Sequence, residues 1–298
     1  HNHVNYYINC HIDVDRHIGT VLDALEESGQ ADSTVIIFTS DHGEMGGAHH
    51  LRQKGSVAFK ESVNVSLTIV DPQQKGGART EAVGSHLDLV PTILAYAGYT
   101  DQERRERYPF LKGHDLSEVV AEPAADGPRG SSQNPGSGAL LTYDMIYAID
   151  AQWLMNNAPK LMDVAAAKAG LKFKRGREAF QPVLEEIGAP DSQKRELFRG
   201  IFDGRYKLVR HFGLGGYNLP QNVDDLLANN DVALYDLHLD PEEMNNLANR
   251  DNPDFDEEIL AMMNSKLNAL ITAEIGEDKF LFDIAKLKKL QSKNRKEI

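Results

Sequence analysis

Asp41, His42 and Lys54 are the residues of this chain whose types and spacing could do chemistry. Asp41 offers a hard carboxylate oxygen and His42 an imidazole nitrogen. That pair can hold Ca²⁺, Mn²⁺ or Zn²⁺ and does not choose among them by itself. Lys54 is a point charge able to return to the same crevice and hold an anion, so the first expectation is a metal beside an oxyanion. Adjacent side chains reach one ion only where the backbone turns sharply, and Gly43 is expected to permit that turn. A bare Asp-His-Gly triplet is better read as a cap and a packed histidine, since short motifs recur by chance. Glu44, the Gly46–Gly47 pair and His49 occur in the same stretch, and together they favour function.

Elements must position these groups. Residues 35–39, mostly β-branched or aromatic, read as a buried strand ending on Ser40 and Asp41, and open α/β sheets bind ligands beyond the carboxyl ends of their strands. Upstream, Ile8, Ile12, Ile18, Val21, Leu22 and Leu25 recur at helical spacing, which predicts an amphipathic helix over 4–27. Helix, short loop and strand make half of a parallel α/β repeat. A second strand is expected over 65–70. A helix over 87–97 follows, with Ser85 and Asp88 as caps and Gly98 as terminator.

The stretch 99–138 passes from DQERRER into a Pro, Gly and Ser-rich run and reads as a long loop. Residues 139–149 are apolar enough to rejoin the sheet, and 153–198 look helical with interruptions at Pro159, Pro182 and Pro190. Asp203 and Gly204 between IF and YKLV signal a hairpin. A strand over 233–237, a turn at Asp240 and Pro241, an amphipathic helix over about 255–275 and a solvated basic tail over 286–296 complete the expectation.

Composition narrows the partners. The 298 residues carry 32 basic and 45 acidic side chains, a formal charge of −13, which argues against nucleic acid or an anionic membrane. Any anion must be attracted locally. No window has the apolar length of a membrane span. Cys10 is the single cysteine, so no internal disulfide forms, and on a helix it reads as a small hydrophobe. The chain opens on His1, Asn2 and His3 without an initiator methionine or leader, as the later part of a longer protein would. The compartment stays open, and a periplasmic or secreted location would require a leader ahead of His1.

The segment from Tyr6 to Glu44, with Lys54 at its spacing, closely resembles the sulfatases of the alkaline phosphatase superfamily. FKESVNVSLTIVDP is similar to that family's next strand, HLDLVPTILAYAG to its following helix, and ALYDLHLDPEEMNNLAN to the usual ending of a sulfatase catalytic unit. The resemblance implies an alkaline-phosphatase-like α/β fold, with a mixed or parallel sheet flanked by helices and a smaller C-terminal antiparallel subdomain. The catalytic α/β part is expected over 1–198 and the subdomain over 199–298.

The resemblance further implies that Asp41 and His42 ligate a divalent cation, usually Ca²⁺, and that Lys54 contacts a sulfate and stabilises charge on the transferring group. It places His49 on a loop histidine that lines the site or stands behind it, and gives His50 no role. Gly46 and Arg52 replace a leucine and a tryptophan common in relatives. The formylglycine motif Cys/Ser-x-Pro-x-Arg does not occur in these residues. Also missing are the early acidic ligands and the general-acid histidine, unless His1 or His3 is a remnant of that region. The chain thus holds half an active site and is expected to be inactive alone.

Other candidates are weaker. His211, beside Arg210 on the hairpin, could meet an anionic group of a substrate. His86 and Asp88 fit capping better than metal binding, and the acids around Asp240 fit a solvated turn better than a calcium loop. Tyr6, Tyr7, Tyr143 and Tyr147 read as core or interface aromatics. The function expected is hydrolysis of a sulfate ester on a sulfated small molecule or glycan. A phosphoesterase or phosphonate monoester hydrolase of the same superfamily is one alternative, and a non-catalytic sulfate- or glycan-binding relative is another.

Overall fold

The structure is a computed structural model describing residues 2–145, 150–168, 188 and 190–278. It divides into two compact units, His1–Gly136 and Ser137–Ile298.

In the first unit, α1 (Asn2–Glu27) is the expected helix, but its apolar stripe is uncovered, with Ile8, Ile12, Val14 and Val21 each 50–69% exposed. A tight turn leads to β1 (Ile36–Thr39), which ends where the sequence predicts. β1 pairs with β2 (Leu67–Val70) in antiparallel register, Ile36 opposite Val70 and Thr39 opposite Leu67. This corrects the expected parallel repeat. A parallel pair needs a crossover that carries the chain back to its starting edge. Between β1 and β2 the described chain has a loop and the single turn α2 (Lys60–Val63) instead, so it reverses. The strands are also less buried than predicted, with Phe38 46% and Val70 49% exposed.

Beyond β2, Ser85 and Asp88 form a reciprocal capping box before α3 (Leu89–Tyr96). The stretch expected as a long loop contains two helices, α4 (Asp101–Arg107) and α5 (Ser117–Ala121). DQERRER is helical because Thr100 and Glu103 form a second capping box, Arg105 reaches Asp101 at 2.7 Å, and acids precede bases along the helix dipole. The Gly- and Ser-rich remainder is pinned by Arg129. Its guanidinium forks onto Asp88 at 2.8–3.1 Å, and both side chains are fully buried. Asp88 also accepts the Ser85 and His114 amides, each at 2.8 Å.

A buried pair stripped of one partner leaves an uncompensated charge in a dry site. Asp88→Ala is therefore expected to cost about 3–5 kcal/mol by urea unfolding. A loss below about 1 kcal/mol would contradict this role for the pair.

The second unit is a four-stranded antiparallel sheet in order β3 (Ala139–Tyr143), β4 (Leu197–Phe202), β5 (Tyr206–Phe212), β6 (Asp231–Asp236). The predicted hairpin joins β4 to β5, with Gly204 at φ 111° and the Asp203 amide donating to Tyr206 O at 3.1 Å. The expected boundary near residue 199 falls inside β4, because the sheet already begins at Ala139. Inserted between β3 and β4 is α6 (Ala151–Lys168), which runs through Pro159 rather than breaking there. Pro182, Tyr147 and the 286–296 tail lie outside the described residues.

Two further helices are described in this unit, α7 (Val223–Asn229) and α8 (Glu257–Glu274). Ile201, Leu208, Leu226, Leu234, Leu260, Met263, Leu267 and Ile271 form a core with no exposed surface. Tyr143 stacks on Phe198 as a core aromatic, whereas Tyr6 is 71% exposed. The turn after β6 is not wholly solvated: Glu243 is buried and ion-paired with Lys207.

Burial alone would raise Asp236, but the Arg205 fork and the His238 amide outweigh it and hold the carboxyl below its usual range. A depressed carboxyl stabilises the fold above its unfolded pKa and loses that contribution as pH falls through the folded value. Unfolding followed below about pH 4 should therefore be less steeply pH-dependent in Asp236→Asn than in the parent. Equal slopes would remove Asp236 from the acid response.

Candidate metal and oxyanion site

β1 ends at Thr39, whose hydroxyl donates to Ser66 O at 2.9 Å, and the chain then turns through Ser40, Asp41 and His42. The Ser40 hydroxyl donates to His42 O at 2.7 Å. Ser40 O accepts from His86 Nε2 at 2.8 Å, so His86 is a strut for this turn rather than a ligand. The His42 amide donates to Asp41 Oδ1 at 3.0 Å, which orients the carboxylate and leaves Oδ2 facing out. Asp41 is 85% exposed at its side chain and His42 39%.

Gly43 is required for a different reason from the one expected. It is absent from the residues with positive φ. It lies against the backbone of residues 61–62, its amide donating to Ser62 O at 2.9 Å, and a Cβ there would stand 1.9 Å from Glu61 O. The residue is glycine because two backbones touch, not because the chain needs a left-handed turn. Gly43→Ala must displace one of those backbones and with it the His42 ring.

Hydrogen bonds fix the His42 ring. Nδ1 lies 2.8 Å from Gly43 O, an atom that only accepts, so Nδ1 carries the proton. Nε2 therefore presents its lone pair, and Asp41 Oδ2 stands 3.4 Å from that nitrogen. Metal-binding histidines are usually held this way, with the far ring nitrogen donating to a carbonyl or carboxylate. A separation of 3.4 Å suits two atoms sharing one divalent cation with bonds of about 2.0–2.5 Å. The residues present thus fit part of a cation site. An oxygen donor suits Ca²⁺ or Mn²⁺, whereas a nitrogen donor suits Zn²⁺ better.

Lys54 returns to this point, with its Nζ within hydrogen-bond range of His42 Nε2. The return is made by a loop closed on Glu44. Glu44 Oε1 accepts from the Gly46 amide at 3.2 Å and the Gln53 amide at 2.5 Å. Met45 N donates to Gln53 O at 3.0 Å, and Gly47 N to Leu51 O at 2.9 Å. Closing so small a loop puts His49, His50 and Gln53 in the left-handed region, where non-glycine residues are rare. Strain of this kind persists only where the surroundings fix it, and it gathers at functional sites. His3 lies 3.9 Å from Glu44 Oε1, which sets the start of α1 beside this loop.

The structure thus brings Asp41, His42 and Lys54 to one point. His49 is close by but makes no hydrogen bond to them, and its ring stacks on Phe59 at 3.7 Å. It also offers a ligand atom within 4.8 Å of one on Glu61, a residue that sequence reasoning did not single out. His211 belongs to the second unit, on β5, against the Phe198 ring at 5.3 Å. Burial lowers its pKa, so near neutral pH it offers an anion a hydrogen bond rather than a charge. Cys10 is half-buried on α1, as expected of a small hydrophobe.

Residues 1–99 match the family model described as Sulfatase. Over 202 residues the chain is 36% identical to arylsulfatase K of Xenopus laevis, covering 64% of this chain and 36% of that protein. It is 40% identical over 111 residues to the multifunctional alkaline phosphatase superfamily protein PehA of Trinickia caryophylli, covering 35% of this chain and 21% of that one. Among solved structures, BT4656 in complex with D-glucosamine-2-N,6-O-disulfate shares the fold at a TM-score of 0.57 and 19% identity. That match covers 90% of this chain and 40% of the other. The chain therefore spans between a fifth and two fifths of these proteins' lengths.

Proposed function

We propose, from the match of residues 1–99 to the sulfatase family model, that this chain is the later part of a metal-dependent sulfuric ester hydrolase. The observation that carries the reading is the convergence of Asp41 Oδ2, His42 Nε2 and Lys54 Nζ on one point beyond β1. Asp41 and His42 are the proposed ligands of a divalent cation, which when bound polarises a sulfate oxygen and favours the ionised nucleophile. Lys54 stabilises charge that builds on the transferring group or the leaving oxygen. Gly43 O holds the His42 tautomer that makes Nε2 a ligand. His49 lines the site from its stacked position, and His211 is the proposed polar contact from the C-terminal subdomain.

The cation proposed is Ca²⁺ on the family resemblance; Mn²⁺ suits the same carboxylate, and Zn²⁺ the imidazole. No Cys/Ser-x-Pro-x-Arg occurs among these residues, so the nucleophile is assigned to a part of the protein outside them. The uncovered apolar faces of α1, β1 and β2 support the same view, since a catalytic domain would bury them against further strands and helices. The substrate class proposed is a sulfated small molecule or glycan. No described helix is long and apolar enough to cross a membrane.

A second reading is a phosphoesterase or phosphonate monoester hydrolase of the alkaline phosphatase superfamily, the superfamily that the description of PehA names, which would use the same cation and lysine positions. Turnover of paired sulfate, phosphate and phosphonate esters by the complete protein separates the two. The sulfatase reading requires kcat/KM to be highest for the sulfate ester. A higher value for either phosphorus ester would replace it.

A further inference from the structure

The contact between Lys54 and His42 sets a constraint that neither residue carries alone. In the Nδ1–H tautomer, His42 Nε2 has one lone pair, and the Lys54 ammonium donates into it. A metal ion bound by His42 must use that same lone pair. The Asp41 carboxylate lies 3.4 Å from Nε2 and faces whichever cation sits there. Lysine and metal are therefore alternative occupants of the one lone pair on His42 Nε2.

We propose that Lys54 is a built-in competitor for the cation seat, so that binding of a divalent cation expels the ammonium and frees it for the substrate's anionic group. This rests on the reading of Asp41 and His42 as metal ligands and adds a coupling between the two halves of the site. The ring keeps its orientation through Gly43 O, so the lone pair of Nε2 points the same way whichever cation meets it. After the cation binds, an ammonium beside a divalent charge is repelled, and an incoming oxyanion is the group that can hold both. Cation and anion then bind in order, with the lysine available to the anion only once the metal is seated. The strained loop through His49, His50 and Gln53 is closed on Glu44 rather than on Lys54, so the lysine can leave His42 without opening it.

The test is Mn²⁺ affinity, measured by calorimetry and by the loss of free Mn²⁺ signal in electron paramagnetic resonance. It uses the complete protein and its Lys54→Met, Lys54→Gln and His42→Ala forms. Lys54 is exposed, so its replacement leaves the fold in place. Removing one opposed unit charge from a half-exposed site should tighten Mn²⁺ binding roughly tenfold in both lysine variants. In metal-free protein, the ¹⁵N resonance of His42 Nε2 should move in the same two variants. Unchanged or weaker Mn²⁺ binding in the lysine variants, with His42→Ala still abolishing it, would overturn the competition and leave the metal site standing. If His42→Ala binds Mn²⁺ as the parent does, or if the parent binds none, the metal reading itself fails and the competition with it.

Discussion

Replacing Lys54 by alanine in the complete protein is expected to lower kcat/KM for a sulfate ester by about 10²–10³-fold, the usual effect of removing one group aimed at developing charge. The loss should fall mainly on kcat, because an interaction that strengthens as charge builds contributes little to ground-state binding. Steady-state kinetics with an aryl sulfate checks this. A loss confined to KM would make Lys54 a uniform binding contact. Combined with the competition at His42, the expectation becomes sharper: the same residue whose removal impairs turnover should tighten the metal. A merely structural lysine would not move those quantities in opposite directions.

His42→Gln should produce the second large effect. Disturbing even the partners behind a metal ligand typically costs 10–100-fold in metal affinity or activity. Losing the Nε2 ligand itself should therefore weaken the divalent cation by at least about 100-fold and take turnover with it. Excess metal should restore part of the activity in His42→Gln and none in Lys54→Ala, because only the first defect is one of occupancy. Metal titrations of activity separate the two. Restoration of both or of neither would show that the residues do not divide the work as proposed.

The parts of the site legible in the sequence were those carried by contiguous residues. A run of β-branched residues stopping at Ser40 predicts a strand end, and Asp-His-Gly there predicts a polar turn; both are observed. The Asp203-Gly204 hairpin, the cap at Ser85 and the terminal helix α8 are local signals of the same kind. What stayed hidden depends on residues far apart in the chain. The Asp88–Arg129 pair spans 41 positions and turns an apparently loose Gly- and Ser-rich stretch into a pinned one. Gly43 could be read only as a turn former, since the approach of residues 61–62 exists only in three dimensions.

Strand pairing was hidden for a related reason. The apolar runs at β1 and β2 read as buried, parallel-type strands, yet nothing in their composition says which neighbour each will meet. The antiparallel pairing follows from a connection too short in regular structure to serve as a crossover. The unit boundary moved from 199 to 136–137 because β3, read only as rejoining a sheet, belongs to the sheet of β4, β5 and β6. Buried charges such as Arg210 and Lys207 likewise sit inside strands whose pattern signals only alternation.

Asp41 and His42 are proposed to share one divalent cation beyond the end of β1. Anomalous diffraction from crystals of the complete protein grown with Mn²⁺ tests it directly. A Mn²⁺ peak is expected at about 2.0–2.3 Å from His42 Nε2 and an Asp41 carboxylate oxygen, with Lys54 Nζ withdrawn from the ring. A peak seated on other residues, with Lys54 still on His42 Nε2, would contradict it.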